Sequence, residues 1–483
     1  MIKKIFLIGL GLVLAQCSND LEELNVNEKA FTDVPAETLM SNGQRELADQ
    51  LVNTNVNRNV FRLFAQQWSE ATYTDEARYN ILTRSIPESH WNIIYRDVLK
   101  DFDESYKRIE AEEIVEVTPE QFATDTAVKT NKLAIIQIQQ TLAWSILVDT
   151  FGDIPFTDAL DIDNINPTYT DDEEIYMTII DNLESALDML DASYDSFGGQ
   201  DLYYQGDVSS WITFGNSLKL RLGMHLADVN PTKAEQMVSE AASDVILTNA
   251  QNATISYFST TPNTNPLWVD LVQSNRRDFV PADTFVTALN DLEDPRRPVF
   301  FQDPVDGEFL GAPYGSTVTY DNYSHIGALF FTPDLEGVIF DAAETNFLLA
   351  EAVERNFIAG SAEDYYDAAI TANMEYWGVS NADTAAYLAQ ADVAYSTAAG
   401  DFKQKIGVQK WIALYNRGFE AWTEFRRLDY PQLEAPVQSA FDAVPKRFTY
   451  PVIEQNLNNS GYSAAASAIG GDELSTPVFW DVD

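Results

Sequence analysis

The chain has 483 residues, 45% of them hydrophobic and 12% aromatic, enough for one large core or two. Its 75 acidic and 30 basic residues give a formal net charge of −45, a field that repels nucleic acid, so we expect no nucleic-acid partner. The single cysteine, Cys17, and the three histidines are too few for an internal disulfide or a cysteine-rich metal site.

The first 16 residues have the pattern of a lipoprotein signal peptide. Two lysines precede an apolar run over residues 5–15, which is too short to span a bilayer. The run ends at Leu14-Ala15-Gln16-Cys17, which resembles a bacterial lipobox, and the alternative is an ordinary signal with a chance cysteine. We expect residues 1–16 to be removed, Cys17 to carry lipid, and residues 17–35 to form a polar tether to the membrane.

Helical patterns dominate after the tether, mainly over residues 36–248. An apolar stripe that no glycine or proline interrupts predicts a helix over Asn131–Phe151. Gly152 can adopt the left-handed conformation that ends a helix, and Pro155 prevents the helix from resuming. A long buried helix is therefore expected to run into a tight turn, Phe151 to Phe156.

The second half of the chain is predicted to be less regular. Residues 250–335 are rich in asparagine, threonine, proline and aromatic residues, and long irregular stretches inside a domain usually carry function. Helical patterns return over residues 340–427, and the tail, residues 431–483, is predicted to be irregular. The pattern predicts a mostly α single domain over residues 36–483, with residues 250–335 on the ligand side.

Catalytic signatures are missing from the sequence. No HExxH, P-loop or GxSxG motif occurs outside the signal peptide. With 75 acidic residues a glycosidase-like carboxylate pair could be imagined almost anywhere, so none is assigned. We therefore expect a non-enzyme without a cofactor. So acidic a chain would suit a structural calcium ion, but the sequence offers no site to name.

Several motifs, in order, together resemble those of a known family. They are Asp149–Phe156 (DTFGDIPF), Gly206-Asp207 with Trp211 and Asn216–Arg221 (NSLKLR), Ala342–Ala352 (AAETNFLLAEA), Lys410-Trp411 with Glu420–Arg427, and Tyr450-Pro451. With the lipobox, the set is similar to the SusD/RagB family of nutrient-binding outer-membrane lipoproteins, in its SusD-like subgroup. The resemblance implies a mostly helical SusD-like fold in which four helix pairs of tetratricopeptide type carry an irregular second half.

The resemblance also implies a role. A SusD-like protein would be lipid-anchored in the outer membrane of a Gram-negative bacterium, facing outward. It would capture nutrient oligomers and deliver them to a SusC-type TonB-dependent transporter. The residues leave the ligand open between an oligosaccharide and a peptide, and a secreted hydrolase is a remote alternative.

No family motif fixes the ligand-binding positions, so residue type selects the candidates. Flat aromatic faces grip sugar rings, while amides and charged groups bond hydroxyls. Each candidate could instead anchor its loop, and Trp268, a tryptophan in a polar loop, is the strongest. The candidates in the irregular segments are Trp68, Tyr73, Tyr79, Trp268, Arg277, Asp278, Tyr314, Tyr320 and Tyr323.

Overall fold

The computed structural model describes residues 34–439 and 441–482, which are mostly α-helical, as predicted. The predicted signal peptide, the lipidation site Cys17 and the tether up to residue 33 lie outside the described residues. In the described part of the chain, no helix is long and apolar enough to cross a bilayer.

The α-helices are numbered in chain order. They are α1 (Ala36–Val52), α2 (Phe61–Phe64), α3 (Ile86–Asn92), α4 (Lys100–Ala111), α5 (Pro119–Phe151), α6 (Asp172–Met189), α7 (Val208–His225), α8 (Pro231–Ala241), α9 (Pro266–Trp268), α10 (Asp283–Asp291), α11 (Arg297–Phe300), α12 (Ala342–Glu354), α13 (Ala362–Tyr376), α14 (Asn381–Leu388), α15 (Phe402–Ala413), α16 (Gly418–Leu428), α17 (Val452–Leu457) and α18 (Asn459–Ala468). A π-helical segment, Ile93–Leu99, joins α3 to α4.

The strands are short and form two-stranded antiparallel sheets, β1 with β5, β2 with β3, β4 with β8, and β6 with β7. They are β1 (Trp68–Glu70), β2 (Ile154–Pro155), β3 (Tyr169–Thr170), β4 (Ala253–Ile255), β5 (Phe279–Pro281), β6 (Phe301–Gln302), β7 (His325–Ile326) and β8 (Gly337–Phe340).

Helix α5 is the centre of the helical part. Thr118 caps it by accepting a hydrogen bond from the Gln121 N–H at 3.1 Å, so it begins earlier than its apolar stripe. From Leu133 onward most of its side chains are buried on every side. Gly152 ends the helix with a φ of 75°, which confirms the predicted stop.

Consecutive helices pack against one another in pairs, α5 with α6, α7 with α8, α12 with α13, and α15 with α16. Each pair buries the apolar face that its sequence pattern predicts. The tetratricopeptide character of these pairs, and the division into a single domain over residues 36–483, stay predictions.

The charged residues of the family-like motifs lie inside the helical core, where they bind one another. Arg221 of α7 donates two hydrogen bonds to Glu344 of α12, at 2.6 and 2.9 Å. Arg417 reaches the same carboxylate at 2.6 Å, and Arg427 of α16 binds Glu351 of α12. These motifs therefore hold helices together.

The tail differs from its prediction. It was expected to be irregular over residues 431–483, but it contains α17 and α18. Helix α18 has the sequence NSGYSAAASA, which is small and polar and carries no apolar stripe. The sequence therefore has no helical periodicity that would predict α18. The helix is held instead by packing against β3 and α17.

Candidate functional site

Three segments that are far apart in sequence meet beside the sheet of β1 and β5. In that sheet Trp68 pairs with Pro281 and Glu70 with Phe279. Beyond β1, the Ala71 N–H donates to the Asp278 carbonyl at 2.7 Å, and the Val318 N–H donates to the Ala71 carbonyl at 2.7 Å. The loop after β1, the residues before β5 and the segment 318–323 therefore form one continuous surface.

Exposed and half-buried tyrosine and arginine side chains cover this surface. We call it the Tyr–Arg surface and define it as Tyr73, Arg276, Arg277, Asp278, Tyr320 and Tyr323. The Arg276 guanidinium carbon lies 5.8 Å from the ring centroid of Tyr73, and that of Arg277 lies 5.6 Å from the centroid of Tyr320. Both distances are within cation–π range. The Tyr73 side chain is 57% exposed, so its ring is open to a ligand.

A small apolar cluster supports the surface from below. Ala71, Val280 and Ala312 are buried, and the rings of Tyr320 and Tyr323 pack against them. Burial raises the pKa of Tyr320 above its ordinary value. Its phenol therefore stays protonated at neutral pH and can both donate and accept hydrogen bonds.

Charges on and around the surface are balanced. Arg276 forms an ion pair with Asp278 at 2.5 Å, and Arg277 forms one with Asp321 at 3.3 Å. Next to them, His325 Nδ1 lies 2.7 Å from Asp303 Oδ2. Each basic group has a carboxylate partner, so the surface offers hydrogen-bond donors and acceptors together.

The structure brings together five of the nine sequence-predicted residues, Tyr73, Arg277, Asp278, Tyr320 and Tyr323. Whether they contact ligand stays a prediction. Sequence reasoning missed Arg276, Asp321, Asp303 and His325. Arg276 could have been included because it adjoins Arg277, but nothing in the sequence placed His325 beside Tyr320.

Three other predicted ligand contacts are buried, and their placement corrects the sequence-based assignment. Trp68 has no exposed surface, and its indole N–H donates to the Tyr415 hydroxyl at 2.8 Å. Tyr79 is 3% exposed and accepts a hydrogen bond from Gln66. The Tyr314 hydroxyl donates to the Leu63 carbonyl at 2.7 Å. These rings anchor the loops and offer no face to a ligand in this conformation.

Trp268, the strongest candidate from sequence, lies away from these contacts. It is half-buried at the end of α9, which packs against α1 and against the 3-10 helix Ala328–Phe331. Among the described residues, no ring contact or hydrogen bond links it to the Tyr–Arg surface. A role for Trp268 in binding stays a prediction.

Carboxylates of Asp153, Asp171 and Asp172 approach within 4.8 Å of one another near the end of α5. Each already accepts backbone hydrogen bonds. Asp153 accepts from the Asp172 N–H, Asp171 caps α6, and Asp172 accepts from the Phe479 N–H. Burial raises the pKa of Asp172 to about 7. These hydrogen bonds hold the turn after α5 and the start of α6, which accounts for the clustering of the three carboxylates. Structural calcium stays an expectation without an assigned site.

Comparisons with known proteins agree with this architecture. The model of the SusD-like_2 family, described as "Starch-binding associating with outer membrane", matches residues 28–451. No curated protein matches the chain.

Solved structures similar to this one include SusD homologues. A chitin-binding SusD homologue from Flavobacterium johnsoniae is 24% identical, with a TM-score of 0.77 over 93% of this chain and 98% of that one. A Bacteroidetes SusD-like protein is 21% identical, with a TM-score of 0.79 over 93% and 100%. A SusD homologue from Bacteroides uniformis is 24% identical, with a TM-score of 0.74 over 92% and 99%. The predicted SusD-like fold is confirmed.

Proposed function

This chain belongs to the SusD-like_2 family, and from that membership we propose that it is a glycan-binding protein of the outer membrane. It captures a neutral oligosaccharide on the Tyr–Arg surface and delivers it to a SusC-type TonB-dependent transporter. It binds its ligand and does not cleave it. Its attachment is a lipid on Cys17, and its binding face points out of a Gram-negative cell.

The observation that carries this proposal is the convergence of three loop segments on one solvent-facing surface with aromatic rings. Tyr73, Tyr320 and Tyr323 come from two segments nearly 250 residues apart, and the third segment supplies Arg276, Arg277 and Asp278. Aromatic rings present apolar faces that suit the C–H face of a sugar ring. The charged groups between them bond hydroxyls, as polar groups do at small-molecule sites.

The charge balance favours a neutral glycan. Arg276 and Arg277 are each paired with a carboxylate, so neither is free to neutralise a uronate or a sulfate. The rest of the chain is strongly acidic and repels anions on approach. Sugar hydroxyls, by contrast, both donate and accept hydrogen bonds, so they can bond to an arginine and its carboxylate partner together.

Calorimetric titration of the mature chain, with Cys17→Ser to prevent lipidation, tests the proposal. The panel contains neutral chito- and malto-oligosaccharides, uronic-acid oligosaccharides and unstructured peptides. We expect binding to a neutral oligosaccharide and none to the anionic ones. Binding to peptides alone would replace the glycan proposal with peptide capture. Binding to none would refute both.

Delivery to a transporter requires a second measurement. Affinity purification from an outer-membrane extract of the native host, with the lipidated chain as bait, should recover a TonB-dependent transporter. A Cys17→Ser chain, which has no lipid, should be released from the membrane. A Cys17→Ser chain that stays in the membrane fraction would mean that the transporter retains it without lipid. If the wild-type chain is recovered with no transporter partner, the delivery step is wrong, whatever the chain binds.

A further inference from the structure

A second concave surface lies between α1 and the loop that follows β4. It has a volume of about 330 Å³, at the lower end of the range for small-molecule pockets, which is about 300–1,000 Å³. Phe258 and Pro262 supply apolar walls, and Arg45, Asp49 and Thr264 supply polar ones. None of these residues belongs to the Tyr–Arg surface, so the groove is a separate feature.

Phe258 is held in place but left in solvent. Its backbone N–H donates to the Asn263 carbonyl at 2.7 Å, which closes the loop, while its side chain is 59% exposed. The neighbouring Tyr257 is half-buried and also lines the groove, and its hydroxyl donates to Asp49 Oδ1 at 2.8 Å. The loop therefore holds Tyr257 by a hydrogen bond and leaves the exposed ring of Phe258 available as a stacking face.

Several polar groups at the groove have hydrogen-bonding atoms without a partner in the described part of the chain. Asp49 Oδ2 accepts no hydrogen bond from the described part of the chain, although Oδ1 is bonded. The Arg45 side chain is 42% exposed, and one Nη makes its bonds to both Glu46 and Asn42. Thr264 is 6% exposed, and its hydroxyl has no partner among the described residues. Buried polar groups nearly always have a partner, and of these three side chains only Thr264 is fully buried. Asp49 and Arg45 are half-buried at the groove, where their remaining polar atoms can bond a polar ligand.

We infer that this groove is a second glycan-binding site, which holds one or two sugar rings against Phe258 while Asp49 and Arg45 bond their hydroxyls. The inference rests on the proposed function, because it takes from it the class of ligand. With two sites on one chain, a long polysaccharide could occupy both at the same time. Once one site is occupied the second binding event is intramolecular, which raises the apparent affinity.

Titration with short oligosaccharides separates the two sites when each site is altered in its own variant. Chito- and malto-oligosaccharides of two to four rings are titrated into the wild-type mature chain, Phe258→Ala and a Tyr73→Ala/Tyr320→Ala variant. Phe122→Ala is the matched control, since Phe122 is 41% exposed at the start of α5 and lines neither surface. All four chains are first checked by thermal unfolding.

We expect two ligands per wild-type chain. Phe258→Ala should weaken one of them about tenfold and leave the other unchanged, because a lost ring face costs about that much. The double tyrosine variant should show the converse, and Phe122→Ala should match the wild type. One ligand per chain, with affinity unaltered in Phe258→Ala, would overturn the second site while the proposed function stands. No ligand bound to the wild-type chain would refute the proposed function itself.

Discussion

The phenol ring of Tyr320 stacks on the imidazole of His325, with centroids 4.0 Å apart and planes 13° from parallel. His325 is itself held by Asp303, 2.7 Å from its Nδ1. Tyr320 therefore belongs to a supported stack, which fixes its ring before ligand arrives. Binding to a fixed ring avoids the entropy cost of ordering it.

Removing the imidazole tests this support. His325→Ala should leave the phenol of Tyr320 in place but mobile, so we expect glycan affinity to fall severalfold. His325→Phe, which can restore a stacked ring without the link to Asp303, should recover most of the loss. Calorimetric titration with the neutral oligosaccharide bound by the wild type measures both. Equal affinity in all three chains would show that the stack has no part in binding.

Trp68 in β1 is buried, whereas Tyr73, in the loop that follows the strand, is exposed. Trp68→Ala should lower the free energy of unfolding by about 3–5 kcal/mol, because it leaves a cavity in the core. Tyr73→Ala, at an exposed site, should change it by no more than about 0.5 kcal/mol. Denaturant unfolding compares the two variants. A small loss in Trp68→Ala would mean that this ring is not a core residue.

The ion pairs of the motif residues should matter for stability alone. Burial by itself would raise the pKa of Glu344, but Arg221 and Arg417 override it and lower the pKa to about 2. Glu344→Gln removes one charge partner from each of two buried arginines, while Arg221 keeps Glu420 and Arg417 keeps Asp341. We therefore expect a loss of stability smaller than the roughly 3–5 kcal/mol that follows removal of a sole partner. Glycan affinity of the folded fraction should be unchanged. A normal unfolding midpoint, or a specific loss of binding, would contradict this assignment.

A buried carboxyl predicts how stability depends on pH. Burial, reinforced by the nearby carboxylate of Glu76, raises the pKa of Glu70 from 4.5 to about 9. Between these two values the folded chain keeps a proton that the unfolded chain has lost. The contribution of Glu70 to stability is therefore greatest at low pH and falls as the pH rises from about 4.5 to 9.

Glu70→Gln cannot ionise, and its amide oxygen can still accept the hydrogen bond that Glu70 takes from the Ala77 N–H. Its free energy of unfolding, measured from pH 5 to pH 9, should fall less steeply than that of the wild type. The remaining slope would come from other groups, such as Asp172. Identical slopes in the two chains would show that Glu70 ionises normally in the fold.

The helices could be predicted from sequence because their signal is local. The apolar stripe of α5 and the glycine that ends it lie within one stretch, and both were found. Helix α18 was missed because alanine, serine and glycine give no contrast between faces. The start of α6 also has a local signal, because the Asp171 side chain accepts hydrogen bonds from the N–H groups of Glu173 and Glu174.

The site depended on information that is not local. Trp68 and Tyr73 are both aromatic and lie five residues apart. Trp68 lies in β1, which pairs with β5, and packs against Phe279 and Tyr415, whereas Tyr73 lies beyond the strand and is exposed. That pairing joins residues more than 200 positions apart, which no periodicity reveals. The sequence could therefore select aromatic and charged candidates, but the sheet decides which of them share a surface.

A crystal structure of the mature chain with the neutral oligosaccharide that it binds most tightly tests the central claim most directly. We predict a sugar ring on Tyr73, with hydroxyls bonded to Arg277 or Asp278 and the oligosaccharide continuing toward Tyr320. Oligosaccharide bound only at Trp268, or only elsewhere with the Tyr–Arg surface empty, would contradict it.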